Sequence, residues 1–264
     1  MARLSLSDPH QKAIYSMIRD LSGKWSTYQI WGDMIHMSAI AISNTVDLIH
    51  AEDREKAYKR YAEKYSEAEL RKLSECFYEI VNALEDKPDQ DFLGDLFMRM
   101  EFGSDAHGQV FTPYSVCRMM AEISDMTKLQ TDISELGWVA VNDPAVGGGA
   151  LLIAFANACK ERSIDFQNHV MFIGQDIDSL VANMAYIQIS LLGCPGYIVV
   201  GNTLSSPQLA HDKRGLLPDL TPNDIWFTPM FMNEVWTTRK LIARWSILQG
   251  GTNDTHRGST EEDA

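Results

Sequence analysis

The chain is 264 residues long, 45 % hydrophobic, and carries a formal net charge of −13. That length supports one large core or two small ones. The acidity argues against a protein that grips nucleic acid by overall charge, because phosphate contacts need Lys and Arg, and the apolar runs are too short and interrupted to span a bilayer.

In chain order, Met1 to Asp8 show no secretory signal pattern. Residues 1–104 read as a helical unit, with acids concentrated between Asp47 and Glu101. One helix carries Met34, Met37, Ile40, Ala41, Val46 and Leu48. Another starts near Ser66, where Glu69 completes a capping box. Leu70, Leu73, Phe77, Ile80, Val81 and Leu84 then repeat at helical spacing, and the helix stops before Pro88. Trp25, Trp31, Tyr61 and Tyr65 read as core or rim packing.

Next comes Gly108-Gln109-Val110-Phe111-Thr112-Pro113, followed by an amphipathic stretch from Val116 to Ile123. Thr-Pro suits a helix start, where the N–H that Pro lacks would have no partner anyway. A β-branched run at 138–142 enters Asp143-Pro144-Ala145-Val146-Gly147-Gly148-Gly149 and opens an apolar helix. Glycines at such a turn let a ligand approach the backbone and make positive φ cheap. Asp143 can accept hydrogen bonds from a cationic or hydroxylated ligand, and the G-x-G-x-x-G dinucleotide fingerprint is absent. A buried strand at 170–175 ends in Asp176 and Asp178, ahead of a helix over 179–192. The Asp176 carboxylate can accept two hydrogen bonds at once, the usual grip on ribose hydroxyls in α/β nucleotide folds. Asp178 suits a helix N-terminus. A third strand at 197–200 leads into Gly201-Asn202-Thr203-Leu204, and a fourth at 224–227 into Thr228-Pro229-Met230-Phe231. The last helix, 233–248, carries Arg239, Lys240 and Arg244, which read as a solvated basic face. Residues 249–264 read as a disordered tail. Cys76, Cys117, Cys159 and Cys194 are widely spaced, as free thiols in a reducing cytoplasm would be, and neither they nor the histidines suggest a metal site.

The Gly-rich turn resembles the D-P-x-x-G-x-G element of S-adenosylmethionine (SAM)-dependent DNA N6-adenine methyltransferases, most closely the M subunits of type I restriction-modification systems. Gly108 to Pro113 resembles the G-x-x-x-T-P element that precedes it there. The resemblance covers residues 100–235. It implies a Rossmann-like SAM methyltransferase fold, α/β, over 105–248, behind the N-terminal α-helical domain. It implies SAM as cofactor, with the methionine end near Thr112, Pro113 and Asp143. Pro144, Ala145, Gly147 and Gly149 would form the close backbone approach. Asp176 would meet the ribose, Ile177 the adenine ring and Asn202 the adenine amino group. The family's catalytic element is N-P-P-F, whose Asn and Pro oxygens hold N6 of an adenine flipped from DNA. No N-P-P occurs in this chain. Alignment on Pro229 and Phe231 puts Thr228 at the Asn position, a poorer and shorter acceptor. The family sheet has seven strands against four candidates here, which implies a partial sheet with an exposed edge at 224–227. DNA would then be the target, engaged with help from another subunit or an oligomer. The two readings are a DNA adenine-N6 methyltransferase-like protein, and a catalytically degenerate SAM-binding or scaffold subunit that supports a partner.

Overall fold

The computed structural model describes residues 6–100, 111–221 and 223–249. The expectations on Gly108 to Val110, on the 104/105 boundary and on 250–264 lie outside these residues.

Side-chain caps set the early helix starts, each satisfying a backbone N–H that the first turn leaves open. Asp8 caps α1 (Pro9–Leu21), Ser26 caps α2 (Thr27–Ser43) and Asp91 caps α5 (Phe92–Arg99). Ser66 and Glu69 form the expected capping box on α4 (Glu67–Asp86), which ends ahead of Pro88. The helix expected to continue through Val46 and Leu48 stops instead at Ser43, and Leu48 is exposed. The chain turns there to bury Asp47, which accepts from Arg54 of α3 (Ala51–Ala62) at 2.8 Å. Trp31 and Tyr65 are buried and Tyr61 stacks on His36, so these aromatics pack inside as read.

After α6 (Tyr114–Ile123) and α7 (Met126–Leu136) come two parallel strand-helix-strand units. β1 (Val139–Asp143) leads through α8 (Ala150–Glu161) and α9 (Phe166–His169) to β2 (Val170–Asp176), and α10 (Ser179–Leu191) returns to β3 (Gly196–Val200). β4 (Asp224–Phe227) is followed by a 3₁₀ turn, Pro229–Met232, and α11 (Glu234–Leu248). The sheet order is β1-β2-β3-β4, with β1, β2 and β3 parallel and β4 antiparallel to β3. Each strand lies within about a residue of its expected span.

The sheet has a core on each face. Phe172 and Ile198 face a large core shared with α8, α10 and the N-terminal helices, so the helical region and the sheet bury one continuous apolar interior. Met171, Ile173, Tyr197 and Ile225 face a smaller core closed by Phe231, Trp236 and Ala243. All four cysteines are buried and free. Burial pushes the Cys76 and Cys159 thiols up to about 12. Among the described residues no helix is long and apolar enough to cross a membrane.

The edge at β4 is covered. Arg54 donates to the Ile225 carbonyl at 2.7 Å, approaches Asp224 at 3.3 Å, and stacks 3.9 Å over the Trp226 ring. One open carbonyl of the edge strand is thereby satisfied, which blunts it as a template for another chain.

Candidate functional site

Three parallel strands end side by side, and their exits carry most of the cofactor residues expected from the sequence. The β1 exit holds Asp143, Pro144 and Ala145, the β2 exit Asp176 and Ile177, and the β3 exit Asn202. Hydrogen bonds tie these exits together. Gly147 N–H donates to an Asp176 oxygen at 3.0 Å, and Asp178 N–H donates to the other at 3.0 Å. Thr203 Oγ1 donates to Pro144 O at 2.6 Å, binding the β3 loop to the Asp-Pro turn. Asn202 Oδ1 accepts from Leu204 and Ser205 N–H, so its acceptor is spent on its own loop. Ile177 is exposed beside it.

The three glycines divide their work. Gly147 (φ +53°) and Gly149 (φ +96°) hold left-handed backbone, where L side chains are strained. A Cβ at Gly149 would stand 3.2 Å from the Ala185 Cα, so that glycine lets α8 sit against α10. A Cβ at Gly148 would lie 3.3 Å from Asp91. Gly147 is half-buried, and the Phe111 ring, stacked on Phe97, lies over it at ordinary contact distance, 3.6 Å from the Cβ position. Of the two glycines expected to form the close backbone approach, Gly149 is packed against Ala185 and Gly147 lies under Phe111.

Thr112 and Pro113 sit at the start of α6, Pro113 at its cap position and both exposed. Cys117 of α6 is buried close to Asp143 and Asp91. Burial first, and then those two carboxylates, push its thiol up to about 11. The Asp143 carboxyl is itself raised, chiefly by burial, against the Ala145 N–H bond and with the Asp176 charge acting in the same direction. Two carboxylates thus share the mouth of the turn, and each makes the other's negative charge less favourable. From the helical region, Tyr28 of α2 reaches this end of the sheet and feels the Asp178 charge.

Sequence reasoning missed the support behind the turn. Gln188 of α10 donates to Gly148 O at 2.7 Å and to Asp91 Oδ1 at 2.8 Å, and accepts from Leu93 N–H at 3.0 Å. Asp91 is buried beneath the turn, and burial raises its carboxyl pKa while the bonds from Gln188 and Gly94 oppose that shift. The readable signal was Asp91-Phe92-Leu93-Gly94, an N-cap acid before an apolar run.

Thr228, Pro229 and Phe231 lie elsewhere. β4 pairs Asp224 with Val200 and Phe227 with Tyr197, so its exit stands at the entrance of β3. That is the end of the sheet opposite the glycine turn. Buried Gln175 explains the reversal. It donates to Ser206 O and accepts from Gln208 N–H, holding the connecting loop beside the β2 exit, so the chain enters β4 there and runs back. Thr228 is fully buried, donating to Cys194 O at 2.8 Å and accepting from Gly196 N–H at 3.0 Å. Phe231 is fully buried and stacks on Phe227. The three residues aligned with a catalytic element thus stand away from the glycine turn, with Phe231 in the smaller core.

A family model described as N-6 DNA methylase matches residues 89–248, well over half of the chain. The match takes in α5 and its Asp91 cap, the glycine turn and all four strands. No curated protein matches the chain.

Proposed function

We infer function from one premise: the chain belongs to the N-6 DNA methylase family. On that premise we propose that it binds SAM at the shared exits of β1, β2 and β3. It serves as the cofactor-holding part of a DNA adenine-N6 methyltransferase of the restriction-modification M-subunit type, and a partner completes the base site. The observation that carries this reading is the separation of its two halves. Asp143, Gly147, Asp176 and the Thr203 loop converge at one end of the sheet, while Thr228 and Phe231 are buried at the other.

SAM fits the residues present. Its sulfonium and ammonium charges suit the Asp143 and Asp176 carboxylates, and the Phe111 ring over Gly147 would move aside for the ligand to reach the turn's backbone. Asp176 would accept from the ribose hydroxyls with the lone pairs that Gly147 and Asp178 leave open. Ile177 would lie against the adenine ring, and Asn202, whose oxygen is spent on Leu204 and Ser205 N–H, would donate from its amide nitrogen to an adenine ring nitrogen in place of accepting from the amino group. Thr112, Pro113 and Asp143 would border the methionine end, with Pro144 and Ala145 forming the turn beside it. When bound, SAM supplies the methyl group that this family transfers to N6 of adenine. Asp91 and Gln188 hold the turn in shape before the ligand arrives, which spares binding the cost of ordering it.

The reading of an autonomous enzyme is the weaker one. A Thr228 hydroxyl committed to two backbone groups has no acceptor directed at a substrate amine, and a buried Phe231 has no face for a base. Titration calorimetry tests the proposal. The wild type should bind SAM or its demethylated product, and Asp176→Ala should weaken binding by about 1–3 kcal/mol, the cost of leaving polar groups unpaired. No heat at millimolar ligand sinks it.

A further inference from the structure

On the second face of the sheet, a cleft of roughly 750 Å³ runs between α11 and the segment at 216–220, with Ile49 at its border. Leu217 and Phe231 line it, and Lys240 and Arg244 stand in its wall. The apolar surface does not stop at the cleft. Inward, α11 buries Trp236 and Ala243. Outward it presents Leu241, Trp245 and Leu248 at i, i+4 and i+7, with Ile242 beside them, and these side chains are 59 %, 63 %, 84 % and 59 % exposed. A helix stripe at that spacing is normally the face that packs against another element. Exposed patches of such size mark interaction surfaces.

The cleft is lined by two cations, Lys240 and Arg244, against one carboxylate, Asp219, so its charge is opposite to that of the chain. Lys240 Nζ donates to Phe231 O at 2.9 Å and lies 4.2 Å over the Phe231 ring. Burial, with the Arg244 charge adding to it, pushes the Lys240 ammonium down to about 8. Among the described residues neither Lys240 nor Arg244 has a carboxylate within salt-bridge distance, in a chain whose net charge is −13. Two uncompensated cations beside an apolar stripe call for an anionic complement.

We propose that this face docks an amphipathic helix of a partner protein, with apolar side chains entering the cleft along α11 and carboxylates meeting Lys240 and Arg244. A second copy fits less well. Packing α11 on its own copy about a two-fold axis centred on Trp245 sets the two Arg244 charges against each other. A small amphiphile would leave Trp245 and Ile242 uncovered, because the apolar surface of α11 runs past the cleft. Helix-in-groove recognition reads anchors at the i, i+4, i+7 spacing that α11 offers. The proposal does not depend on cofactor binding.

The test uses two synthetic helical peptides of ~18 residues, about five turns, with the same leucine face and either Glu or Lys on its flanks. Binding to the full chain is read by fluorescence anisotropy. The Glu peptide should bind saturably and at least ~10-fold more tightly than the Lys peptide, a gap of about 1.4 kcal/mol. Arg244→Glu should reverse the preference. Trp245→Ala should weaken binding of the Glu peptide by about 10-fold or more, with far-UV circular dichroism and melting unchanged in both variants. Equal binding of the two peptides, no binding of the Glu peptide, or indifference to Arg244→Glu overturns the proposal. A dimer in sedimentation velocity that Leu241→Asp dissociates reassigns the face to a second copy. Duplex DNA bound by the wild type and lost in Arg244→Glu reassigns it to nucleic acid.

Discussion

Lys240 is a cation held in a largely apolar wall, and its titration reports that position. Its ammonium is pushed down to about 8, below the value near 10.5 that it has in an open chain. Between those values the unfolded chain binds more protons than the folded one, so folding gains stability as pH rises through that window, and the penalty is fully present below about pH 8. Replacing Lys240 with Met removes the penalty. The difference in unfolding free energy, variant minus wild type, should therefore be largest at pH 7 and shrink toward pH 10 in urea titrations. A gap independent of pH would show that the side chain is as well solvated folded as unfolded. The glycines give the complementary lesson in legibility. Their place at a strand-to-helix turn was readable from order and composition. What each of them packs against was not, because Gly149 meets Ala185 on α10 and Gly148 meets Asp91 beneath it. Both contacts are tertiary. The hold of Gln188 on Asp91, 97 residues away in sequence, is equally absent from any local pattern.

Strand and helix limits were readable because their signals are local. The Ser66 capping box and the short β-branched runs each carry their own boundaries. The direction of β4 was not readable, since an alternating pattern specifies which face of a strand is buried and leaves its neighbour open. That neighbour was decided by Gln175 anchoring the loop at Ser206 and Gln208. The edge of β4 makes a prediction about α3. Arg54 is buried, pairs with buried Asp47, bonds Ser43 and the Ile225 carbonyl, and stacks on Trp226. Arg54→Ala leaves buried Asp47 with His50 as its remaining partner at 2.8 Å and should cost about 3–5 kcal/mol in chemical denaturation. Arg54→Met combined with Asp47→Leu should cost less than the single truncation, because no uncompensated charge remains. A single-variant loss under about 1 kcal/mol would assign Arg54 to the surface.

For the whole molecule, the two ends of the sheet differ: the exits of β1, β2 and β3 gather acids around the glycine turn, and the exit of β4 closes a core. Tritium transfer from labelled SAM to mixed-sequence DNA should therefore be poor or absent for the chain alone, since losing a positioned polar contact of the N6 clamp type costs roughly 100-fold or more in rate. Robust incorporation that Phe231→Ala abolishes would restore the aligned element as a working site. The helical region is part of this arrangement, because its apolar interior is continuous with that of the sheet and its Tyr28 reaches the acid end. The Arg54 bond to Ile225 spans 171 residues of chain. At synthesis rates of about 5–20 residues per second, the arginine emerges from a ribosome roughly 10–30 s before its carbonyl does. When it emerges, its partners Asp47 and Ser43 are already made, and those on β4 are not. Closure of the fourth strand against the amino-terminal helices is thus a late event of biosynthesis, and a ribosome stalled before Asp224 would hold a nascent chain whose first helices have lost the strand that fastens them.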